Sequence, residues 1–289
     1  MLRDRMTHMR RLAVLVVALA MAIAAAAQTA TPAQSSVPSN WPTAQFASAK
    51  DPSVQKSFQI LNEMIRALGG DAWLNVQTMQ SEGRTYGFYH GQPNSTGTVF
   101  WRFWEYPDKE RIELTKQRDV VELFVGDKGY EITYKGTATQ EPKELQDYLR
   151  RRDHSLEWVV RHWLPAAGTM ILYSGTALVE RKLADQITVL SANNDSATIS
   201  IDATSRLPVK ISYSWRDPND RQFDEESTVF SNYKPVQGVQ TPYSTVRYRD
   251  GEMTNQRFMT SFAYNSALAP TLFEPKGPLY NTGKPQSGK

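Results

Sequence analysis

The sequence predicts a mainly β protein, an unclosed antiparallel β half-barrel with an N-terminal helix and a helical lid insertion. Three patterns support this fold class. Apolar and polar side chains alternate through much of residues 199–273, for example from Val209 to Trp215, and this period is typical of a half-buried antiparallel strand. Turn residues such as Asp250-Gly251 separate the alternating runs, where Gly can supply the positive φ of a tight hairpin. Apolar residues at helical spacing occur once before the strands and once between them.

The first 27 residues have the composition of a secretory signal peptide. Four arginines accompany an apolar run from Leu12 to Ala27, which ends in Ala25-Ala26-Ala27. A single transmembrane anchor is the alternative, but about 16 apolar residues are short against the roughly 20 that a membrane-spanning helix needs. We therefore predict cleavage after Ala27 and a periplasmic protein. Residues 28–50, rich in Ala, Thr, Pro, Ser and Gln, are predicted to be a disordered leader.

Charge and cysteine content exclude several classes of function. The chain has 33 Lys and Arg and 30 Asp and Glu, and the first 27 residues hold four Arg and one Asp, which leaves 29 of each sign. A neutral mature protein has no general field for nucleic acid, so no nucleic acid is predicted as a partner. Because Cys is absent, the chain has no disulfide, no thiolate zinc site and no cysteine for lipid attachment. We expect a monomer without a lipid anchor.

The first helix is predicted to begin after Asp51. Asp51 can cap the helix N-terminus, and Pro52 suits the first helical position. Gly69-Gly70 is predicted to end the helix. The apolar residues at helical spacing between these signals are Val54, Phe58, Leu61, Ile65 and Leu68.

Strand patterns follow this helix. They cover residues 78–90, 96–106, 109–115, 119–125 and 130–134, with turn residues at 91–94 and 126–129. The second run has large apolar side chains at both odd and even positions, so both faces of that strand are predicted to be covered. Its two faces carry Val99, Trp101 and Phe103, and Phe100, Trp104 and Tyr106.

Residues 142–165 interrupt the strands with an amphipathic helix, or two short helices, bounded by Pro142 and Pro165. Strands are predicted to resume near 178–183 and 187–190, and again at 199–202, 209–215, 241–249 and 256–264, with a further candidate at 224–230. Residues 51–275 are therefore predicted to form the half-barrel domain, and residues 276–289 a flexible tail.

Short motifs of turn and strand residues lie along this domain. They are Leu68-Gly69-Gly70 with Trp73, Tyr106 to Ile112, Gly126 to Gly129, Ile201 to Lys210, Phe230 to Pro242, and Phe262 to Asn265 with Leu272 to Pro275. Over roughly residues 54–275 they resemble the LolA-like group of periplasmic outer-membrane lipoprotein carrier and lipoprotein-sorting proteins. The resemblance implies an unclosed half-barrel that carries lipid or lipoprotein acyl chains between membranes. That family is described as holding its lid shut with an arginine inside the half-barrel, and the resemblance assigns this role to no position here.

The aromatic residues predict where a ligand would bind. A curved sheet leaves an apolar concavity, and such a surface suits an acyl chain because apolar binding follows buried area. We predict that the cavity is lined by Phe88, Trp101, Phe103 and Leu123. The predicted lid residues are Leu149, Trp158 and Trp163. The alternative is that these side chains fill an ordinary core.

The arginine run at the helical insertion allows two interpretations. Arg150, Arg151 and Arg152 form either a solvated helix face or a contact for a phosphate head group or an acidic partner near the cavity mouth, because the guanidinium fork matches phosphate geometry.

No motif predicts catalysis. Beyond the signal peptide the chain has three histidines, His90, His154 and His162, and no metalloprotease, nucleophile-elbow, phosphate-loop or dinucleotide-binding motif. We expect surface or capping roles for His154 and His162. The sequence thus predicts no enzyme and no cofactor, and the main hypothesis is a carrier of lipid or lipoprotein acyl chains. Two alternatives stay open: an interaction or sensor module that binds an envelope protein partner, and a hydrolase with an unrecognised site.

Overall fold

The computed structural model describes residue 46 and residues 48–94, 96–217 and 221–277. The predicted signal peptide (1–27), most of the predicted leader (28–50) and most of the predicted tail (276–289) lie outside these residues, so those assignments stay predictions. Within the described ranges, no helix is long and apolar enough to cross a membrane.

Helix α1 (Pro52–Leu68) forms as its end signals predict. The Asp51 carboxylate accepts a hydrogen bond from the Ser53 backbone amide at 2.8 Å. Gly69 ends the helix with a φ of 127°, and a Cβ at this position would lie 2.3 Å from the carbonyl oxygen of Gly238. A short helix α2 (Asp71–Leu74) follows. The C-terminal end of α1 is therefore held close to the turn that contains Gly238.

The strands occur in two series separated by the helical insertion. The first series is β1 (Thr78–Tyr89), β2 (Gln92–Pro93), β3 (Thr98–Glu105), β4 (Lys109–Leu114), β5 (Val120–Val125), β6 (Lys128–Thr133) and β7 (Gly136–Thr139). The insertion consists of α3 (Pro142–Asp153), α4 (Leu156–Trp158) and a π-helical turn (Val159–Trp163). The second series is β8 (Met170–Val179), β9 (Lys182–Leu190), β10 (Ser196–Asp202), β11 (Pro208–Arg216), β12 (Phe223–Val236), β13 (Val239–Arg249) and β14 (Glu252–Tyr264), and a 3-10 turn (Pro270–Phe273) follows.

All of these strands belong to one unclosed antiparallel sheet. Its order is β7-β6-β5-β4-β3-β1-β14-β13-β12-β11-β10-β9-β8, and β2 pairs only with β1. The chain thus starts in the middle of the sheet, proceeds to the β7 edge and re-enters at the opposite edge with β8. Because it must pass from one edge to the other, the insertion between β7 and β8 crosses the open side of the half-barrel.

A β-bulge bends the sheet where β1 meets β14. The register shifts between Glu82 and Gly83. A Cβ at Gly83 would lie 2.1 Å from the carbonyl oxygen of Phe258, so this close approach of the two backbones requires glycine. The bulge also changes which alternate side chains of β14 point inward.

The main hydrophobic core fills one half of the concave face. Helix α1 packs on β8 and β13 there, and the π-helical turn packs on β9. Burial of these aliphatic side chains is the dominant favourable term in folding. The core residues from α1, the π-helical turn and β8 to β11 include Leu61, Met64, Ile65, Val159, Val160, Ile171, Ile187, Ile199, Ile201 and Ile211.

The predicted fold class is confirmed, but the sequence patterns miss β7 and most of β8, and one predicted strand falls on a turn. The sequence pattern does not show β7, because Gly136–Thr139 is short and has no large apolar residue. The predicted strand at 178–183 is wrong, because Glu180 and Arg181 have positive φ and form the turn between β8 and β9. Leu178 and Leu183 pair directly across this hairpin, and in sequence they look like one continuous run.

Candidate functional site

A cavity of about 680 Å³ occupies the other half of the concave face. Its walls come from β1, β3, β4, β5, β12, β13 and β14, and the insertion contributes residues that cover it. Small-molecule pockets typically measure roughly 300–1,000 Å³. The cavity therefore has the size of a ligand site and lies beneath the segment that crosses the open side of the half-barrel.

One end of the cavity is apolar. Met79 in β1 lies directly opposite Trp104 in β3 and Tyr264 in β14, so three large side chains meet across adjacent strands. We call this the apolar end and define it by Trp73, Val76, Met79, Trp104, Phe262 and Tyr264.

The insertion closes over the cavity through stacked rings. The His162 ring lies between Trp158, at a centroid distance of 3.9 Å, and Tyr106, at 5.5 Å. Arg161 Nη1 donates a hydrogen bond to the Val76 carbonyl oxygen at 2.8 Å. Burial, followed by the charge of Arg161, lowers the pKa of His162, so its imidazole is neutral at pH 7. A neutral ring can stack in this apolar setting without the cost of burying a charge.

A buried ion pair lines the middle of the cavity. Arg102 Nε in β3 donates to Glu110 Oε1 in β4, and the Tyr148 hydroxyl of α3 donates to Glu110 Oε2 at 2.9 Å. The Tyr148 ring stacks on Phe124 with centroids 3.5 Å apart. Burial alone would raise the pKa of Glu110, but Arg102 and the hydrogen bonds outweigh it and lower the pKa. This carboxylate therefore ties the sheet to the insertion.

Arginines without ion-pair partners line the far end. Arg247 in β13 lies opposite Asn255, and Arg257 in β14 lies opposite Thr245. The two arginines are thus diagonal neighbours on one face, which places them roughly 7–8 Å apart. Within the described residues, no carboxylate oxygen lies within 4.0 Å of either guanidinium, and Arg257 Nε has no hydrogen-bond partner. Together with Arg151 of α3 they form what we call the cationic end.

Burial, and after it the charge of neighbouring arginines, lowers the pKa values of Arg247 and Arg257. Burial, followed by the charges of Arg151 and Arg257, lowers the pKa of Arg247 to about 9. Burial, followed by the charge of Arg102, lowers the pKa of Arg257. A guanidinium nevertheless keeps its proton at neutral pH, so both side chains stay charged inside the cavity.

Two carboxylates lie near the cationic end and compensate it incompletely. Glu226 Oε1 in β12 is 3.8 Å from Arg151 Nε and accepts no hydrogen bond within the described part of the chain. Glu122 lines the opposite wall on β5. Burial raises the pKa of both carboxyl groups. Glu110 and Asp147 also line the cavity, but Glu110 pairs with Arg102 and Asp147 pairs with Arg150. The three arginines of the cationic end are thus balanced only by two carboxyl groups that ionise less readily than usual, which leaves an excess of positive charge.

The histidines are not assembled into a catalytic or metal site. His90 is exposed, with Nδ1 3.4 Å from Glu252. His154 is the buried C-cap residue of α3 and stacks on Tyr213, and His162 lines the cavity, so the expected surface or capping role is wrong for His162. In the ranges that the structure describes, no group of three His, Asp or Glu side chains is placed to hold a metal ion.

The structure places the predicted cavity residues Trp101 and Phe103 on the outer face of β3. Trp101 Nε1 donates to Glu82 there at 3.0 Å, and the Arg118 guanidinium lies 4.0 Å from its ring centroid. The inward side chains of β3 are Phe100, Arg102 and Trp104. The prediction is therefore displaced by one residue, and in a strand one residue exchanges the two faces.

The other two predicted cavity residues also lie outside the cavity lining. Leu123 is fully buried, but it alternates with the inward residue Phe124 and so belongs to the outer face of β5. The 3-10 turn covers that face, and its Leu272 carbonyl oxygen accepts a hydrogen bond from Arg111 Nη1 at 3.2 Å. Phe88 lies near the end of β1, opposite Pro93.

The predicted lid residues divide between the cavity and the core. Trp158 lines the cavity, whereas Trp163 is buried in the main hydrophobic core. Leu149 is half-buried and does not line the cavity.

The arginine run does not form a solvated helix face. Arg151 and Arg152 line the cavity. Arg150 pairs with Asp147 at 2.8 Å and lies over the Trp215 ring, outside the cavity lining.

The charged residues that line the cavity were not identified from the sequence. They are Arg102, Glu110, Glu122, Glu144, Asp147, Glu157, Arg161, Arg247 and Arg257. A signal for one of them exists, because Arg102 lies between Trp101 and Phe103 in a strand predicted to be covered on both faces. A charge at such a position must face either a partner or a cavity.

Structural comparison identifies proteins of the same fold. A DUF1329 family protein from Desulfovibrio piger has a TM-score of 0.54 and 13% sequence identity, over 75% of this chain and 97% of that protein. An outer membrane lipoprotein-sorting protein domain from Vibrio parahaemolyticus has a TM-score of 0.50 and 8% identity, over 76% and 96%. A LolA superfamily protein from Nitrosomonas europaea has a TM-score of 0.47 and 7% identity, over 75% and 97%.

Sequence comparison adds no relative, since no protein-family model and no curated protein matches the chain. The two structural matches with the higher TM-scores are informative about fold alone, because their sequence identities are low. The chain therefore shares its fold with the DUF1329 family protein and the outer membrane lipoprotein-sorting protein domain, and the predicted unclosed half-barrel is confirmed.

Proposed function

We propose that the protein binds a hydrophobic ligand in the half-barrel cavity, either a lipid or the acyl chains of a lipoprotein, and carries it through the periplasm. The observation that carries this proposal is the cavity of about 680 Å³ with an aromatic end beneath a closed insertion. Burial of about 300 Å² of apolar ligand surface would contribute roughly 7 kcal/mol at ~25 cal/mol per Å². A cavity wall of this kind is therefore sufficient to hold an acyl chain.

The fold and the sequence give two further arguments for the carrier proposal. One protein of the same fold is named as an outer membrane lipoprotein-sorting protein domain, which supports a shared type of cavity. The N-terminal sequence supports export, and the absence of Cys supports a carrier without a lipid anchor. We propose binding without catalysis, because the three histidines lie in different places and Glu110 is already paired with Arg102.

The insertion is the segment that would move to admit a ligand. The Tyr148 hydroxyl fastens it to β4, and the His154 ring stacks on Tyr213 of β11 with centroids 4.2 Å apart. These contacts lie on opposite sides of the opening, so the insertion closes the half-barrel from both walls. Release of either contact would open a path to the cavity, which is the action of a lid.

Native mass spectrometry of the protein purified from a periplasm, followed by lipid extraction, tests the proposal. We expect a co-purifying lipid or acylated peptide, and uptake of a fluorescent fatty acid by the stripped protein. Trp104→Ala should weaken that uptake about tenfold, because it removes an aromatic wall from the apolar end. Trp101→Ala is the matched control on the outer face of the same strand and should leave uptake unchanged. A protein that purifies empty and takes up no fatty acid contradicts the proposal.

A second candidate function is the interaction or sensor module, and the β8 edge favours it. Met170, Leu172 and Leu178 are exposed there, at 59%, 57% and 76%, on a strand with one free edge. A photo-reactive residue at position 172 should cross-link an envelope partner in intact cells, whereas the same probe at Tyr134, exposed elsewhere, should not. Absence of a product specific to position 172 counts against this candidate.

A further inference from the structure

We infer that the cavity contains a subsite for the anionic head of an amphiphile, formed by Arg151, Arg247 and Arg257. The inference rests on the proposed hydrophobic-ligand function and adds the chemical class of the ligand. The ligand is a long-chain molecule with one carboxylate or phosphate group, bound with its head at the cationic end and its chain toward the apolar end.

The geometry of the sheet converges donors on one place. Arg247 and Arg257 are diagonal neighbours on the inward face of β13 and β14. Thr228 lies directly opposite Arg247, and Thr245 lies directly opposite Arg257; both threonines line the cavity. Arg151 enters from α3 above the same strands, next to Glu226. The guanidinium groups and the threonine hydroxyl groups border one space. They are suited to donate hydrogen bonds to the oxygens of a carboxylate or a phosphate group.

The charge balance at this place requires an anion. Arg102 in the same cavity has its carboxylate partner, Glu110, whereas Arg247 and Arg257 have none within 4.0 Å in the described ranges. An unpaired cation in a low-dielectric site carries a desolvation cost that a counter-charge offsets. Charged residues that lie unpaired in a cavity despite this cost are candidates for a functional role. A bound anionic head would supply the missing partner.

The length of the cavity fits a chain behind the head. Arg257 and Tyr264 lie seven positions apart on the same strand, which corresponds to roughly 23 Å at about 3.3 Å per residue. Met259 and Phe262 line the cavity between them. The lining therefore changes from cationic to apolar along one axis, and this polarity would orient an amphiphile.

A matched ligand pair tests the subsite. Affinities of the stripped protein for tetradecanoic acid and for tetradecanol differ only in the head group, and we expect the acid to bind about tenfold more tightly or better. Arg247→Gln and Arg257→Gln should abolish this preference while the affinity for the alcohol stays the same. Arg150→Gln removes a charge from the same run of α3 outside the cavity, and it should keep the preference.

The outcomes separate this inference from the function on which it rests. Equal affinities for acid and alcohol in the unmodified protein overturn the subsite and leave the carrier proposal intact. Absence of binding for both ligands overturns both. Tetradecyl phosphate and inorganic phosphate complete the set, because inorganic phosphate that binds as tightly as the alkyl phosphate identifies a site for a free anion and overturns the amphiphile.

Thermal unfolding without ligand shows whether the variants fold. Because Arg247 is repelled by Arg151 and Arg257, Arg247→Gln should raise the melting temperature of the empty protein or leave it unchanged. A lowered melting temperature would mean that Arg247 also stabilises the fold, and the Arg257→Gln variant then decides whether the preference for the acid is lost.

Discussion

The two halves of the concave face of the sheet differ in how they are filled. Over β8–β11 the half-barrel is filled, and Leu61 and Met64 of α1 are completely buried in one core with Ile187 and Ile199. Over β3–β5 and β12–β14 the space stays open, and many inward residues are charged. An apolar side chain cannot cover a charge without loss of its hydration. The charged lining therefore keeps the second half open, while the apolar core in the first half stabilises the fold.

Arginines within the open half also differ from each other. Burial would lower the pKa of Arg102, but Glu110 outweighs burial and raises it. Arg247 has no such partner, and burial lowers its pKa to about 9. The same residue type in the same cavity is thus structural on one wall and available to a ligand on another. Substitutions should separate these two roles.

The largest effect should come from breaking the paired arginine. Arg102→Met leaves the Glu110 carboxylate buried without its cation, so we expect the free energy of unfolding to fall by about 3–5 kcal/mol. Urea unfolding at pH 7 measures the change. The double variant Arg102→Met with Glu110→Met should recover most of it, because no buried charge remains. Arg247→Met is the matched control, and a loss as large as that of Arg102→Met would erase the distinction between the two walls.

The second-largest expected effect is the difference in stability between equivalent truncations in the filled half and in the open half. Leu61→Ala leaves a void in a close-packed core, so we expect a loss of about 3 kcal/mol in the free energy of unfolding. Met259→Ala removes a side chain that already borders the cavity, and the expected loss is below about 1 kcal/mol. Chemical denaturation of both variants measures the difference. Equal losses would show that the cavity lining is packed like the core.

Acid titration should give a smaller contrast from the same ion pair. The pKa of Glu110 is lowered in the folded protein, so the stability that this group contributes is present above the ordinary glutamate pKa of 4.5. It is lost as pH falls through the lowered folded value, because the folded protein must then take up a proton at an unfavourable site. Wild type and Glu110→Gln should therefore differ in melting temperature at pH 6, and the difference should shrink as pH falls below 4.5 toward the lowered folded value. A difference that persists unchanged into acid excludes titration of Glu110 as its cause.

Much of this architecture is predictable from sequence because it depends on local signals. Asp51 and Gly69 delimit α1, and alternation from Val209 to Trp215 identifies the inward face of β11, where Val209, Ile211 and Tyr213 are buried. In β11 the opposite face is polar, so the period alone decides which side is inside. The same logic recovers most strands of the half-barrel.

The site is harder to predict because β3 has large apolar side chains on both faces. Trp101 and Phe103 pack outside, and Trp104 packs inside, yet the pattern in sequence is symmetric. Only tertiary context breaks that symmetry: Trp101 contacts Glu82 and Arg118 on the outer face, and the insertion covers the inner face. The cationic end is missed for a related reason, since Arg247 and Arg257 come together through strand pairing and are separated by a hairpin in sequence.

The smallest expected effect concerns the carboxylate next to the cationic end. Glu226 is the carboxylate next to Arg151 and would repel an anionic head in the inferred subsite. Glu226→Gln should therefore tighten the binding of tetradecanoic acid about fivefold, roughly 1 kcal/mol, and leave the affinity for tetradecanol unchanged. Calorimetry at pH 8 measures both affinities with Glu226 ionised, which matters because burial raises its pKa. Glu225→Gln is the matched control, since Glu225 is the neighbouring residue of β12, lies outside the cavity lining and pairs with Lys210 at 3.6 Å. If Glu226→Gln instead weakens the binding of tetradecanoic acid, Glu226 holds the arginines in place. The excess positive charge is then a structural property of the cavity wall.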